Sequence, residues 1–244
     1  MNNIFITGAS SSIGREFLIK NNKKNNLIIA QYNKSKDFLK FIKKNNFKST
    51  IITFKCDLNK SNQIDKYLNK FQRFKIDTII HIASNPLKLI RFTDLKKIDF
   101  QKDFNIAFFS IFKILKYFLP KMIYKNKGQV IFVLSSIINE KKISAFTSNY
   151  NCLKFALLGM MKSLNKEYEK TNLVFSSISP DMMDTPFLRN IDKRIIEIYR
   201  KKKKTKKFVK VAKVVDCINR LIKKNKNQKV KISYFSTNVY KSYH

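Results

Sequence analysis

Apolar residues along the chain fall into short continuous runs separated by amphipathic stretches. Asn3–Thr7, Leu27–Gln31, Thr50–Lys55, Ile76–Ile82, Val130–Leu134 and Leu173–Ile178 read as strands, with a last strand over Lys229–Phe235. Between them, apolar positions recur at helical spacing. Helices are expected over Ser12–Lys20, around Asp37–Ile42, near Ile64–Phe71, over Phe100–Tyr124, up to Tyr168 and near Val211–Lys223. Gly128 opens the Val130 strand. Runs such as Val130-Ile131-Phe132-Val133-Leu134 are apolar at every position, which suits a strand buried on both faces. Strand and helix alternate throughout, so an α/β chain with a doubly wound, mostly seven-stranded parallel sheet and helices on both faces is predicted. No repeat or Pro/Gly/Ser linker divides it, so residues 1–244 read as a single domain.

Composition changes this picture little. The chain has 244 residues, is 44% hydrophobic, and can bury a sizeable core. No apolar run reaches the ~18 to 20 residues of a membrane span, so no membrane partner is expected. The start, Met1-Asn2-Asn3-Ile4-Phe5, runs straight into a strand, which speaks against secretion. Cys56, Cys152 and Cys217 lie scattered, with no metal-ligand spacing. No metal site and a reduced, cytoplasmic setting are the expectations. The net charge of +35 invites a nucleic-acid reading. Nearly all of it is Lys, spread along the chain among many Asn, Ile and Phe, whereas phosphate and base recognition favour Arg forks. The pattern fits a compositional bias on tolerant surface positions, and no nucleic-acid partner is expected.

Two features carry chemistry. The first strand ends in Thr7-Gly8-Ala9-Ser10-Ser11-Ser12-Ile13-Gly14, in a chain with only four Gly. Gly8 suits a tight turn and Gly14 close helix packing, and the following helix start offers free N–H groups to a pyrophosphate. The second is the pair Tyr150 and Lys154, four apart on one helix face. An ammonium beside a phenol lowers the phenol's pKa and makes it a proton donor to a carbonyl near neutral pH.

The turn resembles the TGxxxGxG fingerprint of the short-chain dehydrogenase/reductase family, with Ser12 where that family usually has its middle Gly. Other segments follow in the family's order over roughly residues 3 to 190. Asp57 and Leu58, in Cys56-Asp57-Leu58, match the family Asp near the adenine; the alternative for Asp57 is an ordinary helix N-cap. His81-Ile82-Ala83-Ser84 stands where the family has NNAG and keeps only Ala83. His81 reads as a structural stand-in whose ring finds a local hydrogen bond. Asn105 matches the Asn of the family tetrad. Ser136 matches the catalytic Ser best, with one extra residue before Tyr150 that an insertion within residues 139–142 explains; Ser135 is the alternative. Ser179-Pro180-Asp181-Met182-Met183-Asp184-Thr185-Pro186 resembles PGxVxTP, with Asp181 replacing Gly. The family's Gly-rich ending is absent.

The resemblance implies a Rossmann fold and hydride transfer between nicotinamide and a carbonyl carbon. Tyr150 would protonate the carbonyl oxygen, and Lys154 would lower the Tyr pKa and hold the ribose. Ser136 would bind the substrate oxygen, and Asn105 would order a water that feeds Lys154. Thr7, Gly8, Ser10, Ser12, Ile13, Gly14, Asp57, Leu58, Ala83, Pro180 and Thr185 would line the cofactor, and residues 185–210 would form a flap over the substrate.

The end of the second strand, Gln31-Tyr32-Asn33-Lys34-Ser35-Lys36, lacks the acidic residue that binds a ribose 2′-hydroxyl. Lys34, Ser35 and Lys36 suit a 2′-phosphate, with Asn33 beside them at the cofactor, so NADP(H) is favoured over NAD(H). The segment also resembles NADPH-dependent 3-oxoacyl-carrier-protein reductases, which implies an acyl-thioester or other small-molecule substrate. The Lys201–Lys207 run would meet an acidic carrier protein or a phosphorylated substrate, or is a solvated helix face. A homodimer or homotetramer is implied. A catalytically silent dinucleotide-binding sensor or scaffold on the same fold is the alternative reading.

Overall fold

The computed structural model describes residues 2–139, 143–202, 208–224, 232–236 and 239–243. Strands and helices alternate through most of them: β1 (Asn2–Thr7), α1 (Ser12–Lys20), β2 (Asn26–Tyr32), α2 (Lys36–Lys44), β3 (Thr50–Lys55), α3 (Ser61–Lys70) and β4 (Thr78–His81). Then come α4 (Lys97–Phe104), α5 (Ser110–Tyr124), β5 (Gly128–Val133), α6 (Ser148–Glu167) and β6 (Leu173–Ser179). The described chain ends with α7 (Lys193–Lys202), α8 (Val211–Lys224), β7 (Ile232–Ser236) and β8 (Val239–Tyr243).

All these strands join one sheet in the order β3-β2-β1-β4-β5-β6-β7-β8. The pairings from β3 through β7 are parallel. The pattern of the central strands explains why. In β1, Phe5 enters the core on one face while Ile4 and Ile6 enter the core on the other. In β5, Val130 and Phe132 take the first side, Ile131 and Val133 the second. A side-chain period of two with helices on both faces demands apolar residues at every position. Burial of each such side chain stabilises by about 1.5–3 kcal/mol relative to exposure. One core is rich in aromatic rings: Phe5 lies 5.3 Å from Phe118, 5.6 Å from Phe54 and 6.3 Å from Phe71, centroid to centroid.

The structure departs from the sequence expectation in two places. The sheet has an eighth strand, β8, which turns back after β7 and pairs with it antiparallel. Residues 229–231 of the expected last strand lie outside the described residues. The helix expected over Phe100–Tyr124 is α4 and α5 joined by a π turn at Asn105–Phe109. There the N–H of Ser110 donates to the Asn105 carbonyl, one residue wider than an α-helical bond. The Asp37–Ile42 and Ile64–Phe71 helices each shift by a few residues, as helix ends do.

Strand order reverses between β1 and β4, the place where an open parallel sheet leaves a crevice at its carboxyl ends.

Candidate active site

A cavity of about 1050 Å³ occupies that crevice. Its wall runs from the turn after β1, past the ends of β2, β3 and β4, to α6, the turn after β6 and α7.

Gly8 ends β1 with φ +68°, a left-handed conformation that favours Gly, and a Cβ there would sit 2.9 Å from the Ala83 nitrogen. A Cβ on Gly14 would meet the Ala9 carbonyl oxygen at 2.4 Å, so α1 can approach the strand only through Gly. Ser11 caps α1 by accepting from the Gly14 N–H at 3.1 Å. Gly8, Ser10, Ser12 and Ile13 line the cavity, and the start of α1 faces it. Gly14 lies behind them as packing.

At the end of β2, Asn33 and Ser35 line the cavity, whereas Lys34 is exposed and outside its wall. The cation at this place is Arg15. Its Nε donates to the Ser10 carbonyl at 3.1 Å and a terminal nitrogen donates to Ser35 Oγ at 3.1 Å. Its guanidinium lies 5.0 Å from the Phe41 ring centroid and 5.7 Å from that of Phe38. A planar cation fixed this way is a ready phosphate partner. Sequence reading missed Arg15, although it directly follows Gly14. Asp37, exposed, also lines this end. Gln31 is another miss: buried, it accepts from the Gly8 N–H at 2.8 Å and donates to the Cys56 carbonyl at 2.7 Å, tying the turn to β3. Asp57 and Leu58 line the cavity. Asp57 is no N-cap; α3 begins four residues later and the Asp57 carboxylate accepts from the Asn59 N–H.

Thr7 is fully buried behind the wall and serves His81. His81 Nε2–H donates to the Ala107 carbonyl in the π turn at 2.7 Å, and Nδ1 accepts from the Thr7 hydroxyl at 2.8 Å. A carbonyl only accepts, which fixes the tautomer. Thr7 Oγ1 in turn accepts from the N–H groups of Ile82 and Ala83. Burial, with the Lys154 charge adding to it, pushes the His81 pKa down to about 3. The ring thus works as a neutral strut between β1, β4 and the π turn. Ala83 lines the cavity beside Gly8.

Tyr150 and Lys154 both line the cavity from α6. Lys154 is 4% exposed; its Nζ donates to the Val133 carbonyl at 3.0 Å and lies 5.4 Å from the Tyr150 ring centroid. The expectation that the ammonium lowers the phenol's pKa is corrected. Burial pushes Tyr150 up to about 12 against the opposing Ser135 hydrogen bond, and pushes Lys154 down to about 8. Both groups have lost water in one wall, and Nζ is aimed at a carbonyl rather than at the phenol oxygen.

The hydroxyl that reaches Tyr150 is that of Ser135, not Ser136. Ser135 is extended (φ −158°, ψ 156°), so consecutive side chains there point opposite ways. Ser136 also lines the cavity, but its hydroxyl donates to Asp181 at 3.2 Å and its N–H to the Pro180 carbonyl at 2.9 Å. Residues 140–142, which hold most of the expected insertion, lie outside the described residues. Asn105 is also corrected: it does not line the cavity, and its side chain donates to Asn59 Oδ1 at 3.0 Å. The π turn takes its carbonyl and puts Ile106 in the wall instead. Pro180 and Thr185 line the cavity after β6. Of the 185–210 segment, residues 203–207, with most of the Lys run, lie outside the described residues.

Among the described residues no helix is long and apolar enough to cross a membrane.

The cavity therefore joins a glycine turn at a helix start to half-buried Tyr150 and Ser135 with buried Lys154. The chain matches the family model described as short chain dehydrogenase over residues 2–195. It is 26% identical over 165 residues to dehydrogenase/reductase SDR family member 6 of Rattus norvegicus, covering 65% of each chain, just under two thirds of that relative. It is 26% identical over 202 residues to the 3-oxoacyl-[acyl-carrier-protein] reductase of Buchnera aphidicola, covering 81% of this chain and 80% of that one. The short-chain dehydrogenase from Sphingobium yanoikuyae in complex with NADPH has the same fold, with a TM-score of 0.82 at 13% identity, over 98% of this chain and 89% of that one. The chain belongs to the short chain dehydrogenase family of oxidoreductases.

Proposed function

We propose that this chain is an NADP(H)-dependent oxidoreductase that interconverts a carbonyl and an alcohol, with Tyr150 as the proton donor. The observation that carries the reading is the group of half-buried Tyr150 and Ser135 with buried Lys154 at one end of a cavity whose other end is the Gly8 turn. The dinucleotide fits the residues present: Gly8, Ser10, Ser12 and Ile13 line the cavity, and the start of α1 faces it. When bound, it supplies the hydride.

The chain's own residues do the rest. Gly8, Ser10, Ser12 and Ile13 hold the pyrophosphate, and Asp57, Leu58 and Ala83 flank the adenosine half. Arg15, Asn33 and Ser35 receive a ribose 2′-phosphate. NADP(H) is favoured because, among the described residues, the cation fixed in the wall at this end is Arg15; NAD(H) is the alternative, with Asp37 in the same region. The Sphingobium relative binds NADPH, in line with this choice. Pro180 and Thr185 border the nicotinamide end. A carbonyl oxygen set between the Tyr150 and Ser135 hydroxyls receives a proton from Tyr150 as the carbon is reduced. Lys154, charged below pH ~8, holds the ribose.

The Buchnera relative reduces a 3-oxoacyl group on an acyl carrier protein, and a 3-oxoacyl thioester is the finer substrate proposed here. An acidic carrier would suit the basic surface. A cytoplasmic homodimer or homotetramer built as one domain, with a flap over the substrate from about residue 185 to 210, completes the reading.

A dinucleotide-binding protein without turnover is the second reading. The engagement of Asn105 with Asn59 favours it. Titration with NADPH and NADH, followed by a carbonyl panel, separates the two. The first reading expects tighter NADPH binding and reduction of at least one carbonyl. Nucleotide binding with no turnover supports the second, and failure to bind either nucleotide overturns both.

A further inference from the structure

We propose that Asp103 is a positioning residue for proton transfer: its carboxylate fastens the first turn of α6 to the loop after β4 and so fixes the place of Tyr150. The inference rests on the carbonyl-reductase reading and deepens it.

Tyr150 is the third residue of α6, which begins at Ser148. The first turn of a helix leaves N–H groups without intrahelical partners and opens easily. Thr147 does not cap this turn with its side chain; its hydroxyl donates to the Ser144 carbonyl at 2.7 Å. Phe146, just before it, has φ +60°, a left-handed conformation that a Phe adopts only where its surroundings impose it. The reacting phenol therefore stands on a helix end that needs an anchor from elsewhere.

Asp103, on α4, supplies it. Its Oδ2 accepts from the Asn149 side-chain N–H at 2.6 Å, and its Oδ1 from that of Asn85 at 2.5 Å. Asn149 is 6% exposed and directly precedes Tyr150; Asn85 lines the cavity from the loop after β4. An ionised carboxylate only accepts, so both amides must turn their nitrogens to it. Such charge-assisted bonds are roughly twice as strong as neutral ones. Burial, with Asp99 adding to it, raises the Asp103 pKa against the Asn85 bond, the Lys88 charge and the Asn149 bond. The carboxylate has given up water, and the two amides take its place. The same loop is tied to the approach to α6 once more, where the Ile90 N–H donates to the Phe146 carbonyl at 2.8 Å. Loop, α4 and the start of α6 are thus joined, and a shift of ~1 Å at a reacting group can cost a large factor in rate.

Steady-state kinetics with NADPH and a reducible carbonyl substrate test this, with NADPH affinity measured on the same proteins. Asp103→Ala should lower kcat by about 10-fold and leave KM and the NADPH Kd within about two-fold of wild type. Asn149→Asp sets two carboxylates face to face and should lower kcat at least as far. Adding Asp103→Asn to it rebuilds an amide-to-carboxylate bond with the partners exchanged, and kcat should return to within about three-fold of wild type. Residue 149 is the same acid in the single and the double variant, so recovery reports the bond between positions 103 and 149. An unchanged kcat in Asp103→Ala, or no recovery in the double variant, overturns the proposal and leaves the reductase reading standing. If Asp103→Ala alone loses NADPH binding, the exchanged pair decides by the same criterion. Loss of NADPH binding in all three variants overturns the proposal, since Asp103 then holds the fold as a whole. Wild type that binds NADPH and turns over no carbonyl overturns the proposal and the reductase reading together.

Discussion

The Lys154 ammonium donates to the Val133 carbonyl at 3.0 Å. This bond ties α6 to the end of β5 and holds the cation 5.4 Å from the Tyr150 ring centroid. Burial of Lys154 sets the pH dependence of its own contribution to stability.

Lys154 has a folded pKa of about 8 against an ordinary value of 10.5. Below pH ~8 both folded and unfolded states carry its proton. Between about 8 and 10.5 the unfolded state binds more protons, so the Lys154 contribution makes stability rise with pH, by roughly 3 kcal/mol in all. Denaturant midpoints measured from pH 7 to 9.5 should show that rise, and Lys154→Met should flatten it. Tyr150, raised from 10.0 to about 12, acts the other way only above pH ~10.

His81 sets the acid limit. Its folded pKa is lowered to about 3 from 6.5, so stability is fully present above pH ~6.5 and is lost as pH falls toward 3. The loss from this one ring reaches roughly 4–5 kcal/mol. His81→Asn, which cannot take a ring proton, should be less steeply acid-sensitive in a circular-dichroism titration between pH 6.5 and 3.5.

Arg15 should discriminate between cofactors. Arg15→Ala is expected to weaken NADPH by about 10-fold or more and NADH by little, because a 2′-phosphate is what its guanidinium would meet. Arg15→Lys should recover only part of the loss, since an ammonium lacks the planar fork stacked on Phe41. Equal weakening of both nucleotides would show that Arg15 shapes the turn instead.

Ser135 and Ser136 should separate in kinetics. Ser135→Ala removes a donor at the reacting oxygen and should lower kcat by about 10²–10³. Ser136→Ala removes a bond to Asp181 and should act mainly on KM. A larger kcat loss from Ser136 would restore the expectation drawn from motif spacing.

These contrasts mark what could be read from the chain. The strands were legible because Ile4-Phe5-Ile6 and Val130–Val133 are apolar without interruption, which few other structures require. Gly8 and Gly14 stood out in a chain with four Gly, and both prove sterically obligatory. The choice between Ser135 and Ser136 was not legible, because spacing counts residues while an extended strand end decides which hydroxyl points inward. Arg15 was hidden among 51 basic residues; its bonds to Ser10 and Ser35 and its place over Phe38 and Phe41 distinguish it. The Asn105–Asn59 and Tyr199–Asp181 contacts join residues 46 and 18 positions apart, a tertiary matter that local pattern does not carry. The strand β8 lies beyond residue 195, where the match to the family model ends.

The most direct test of the account is turnover of a carbonyl substrate by Tyr150→Phe at pH 7 with NADPH. The phenylalanine keeps the ring contact with Phe187, at 5.8 Å between centroids, and removes only the proton donor. The account predicts NADPH affinity near wild type and a kcat lower by about 10²–10⁴. Wild-type turnover by Tyr150→Phe would contradict it.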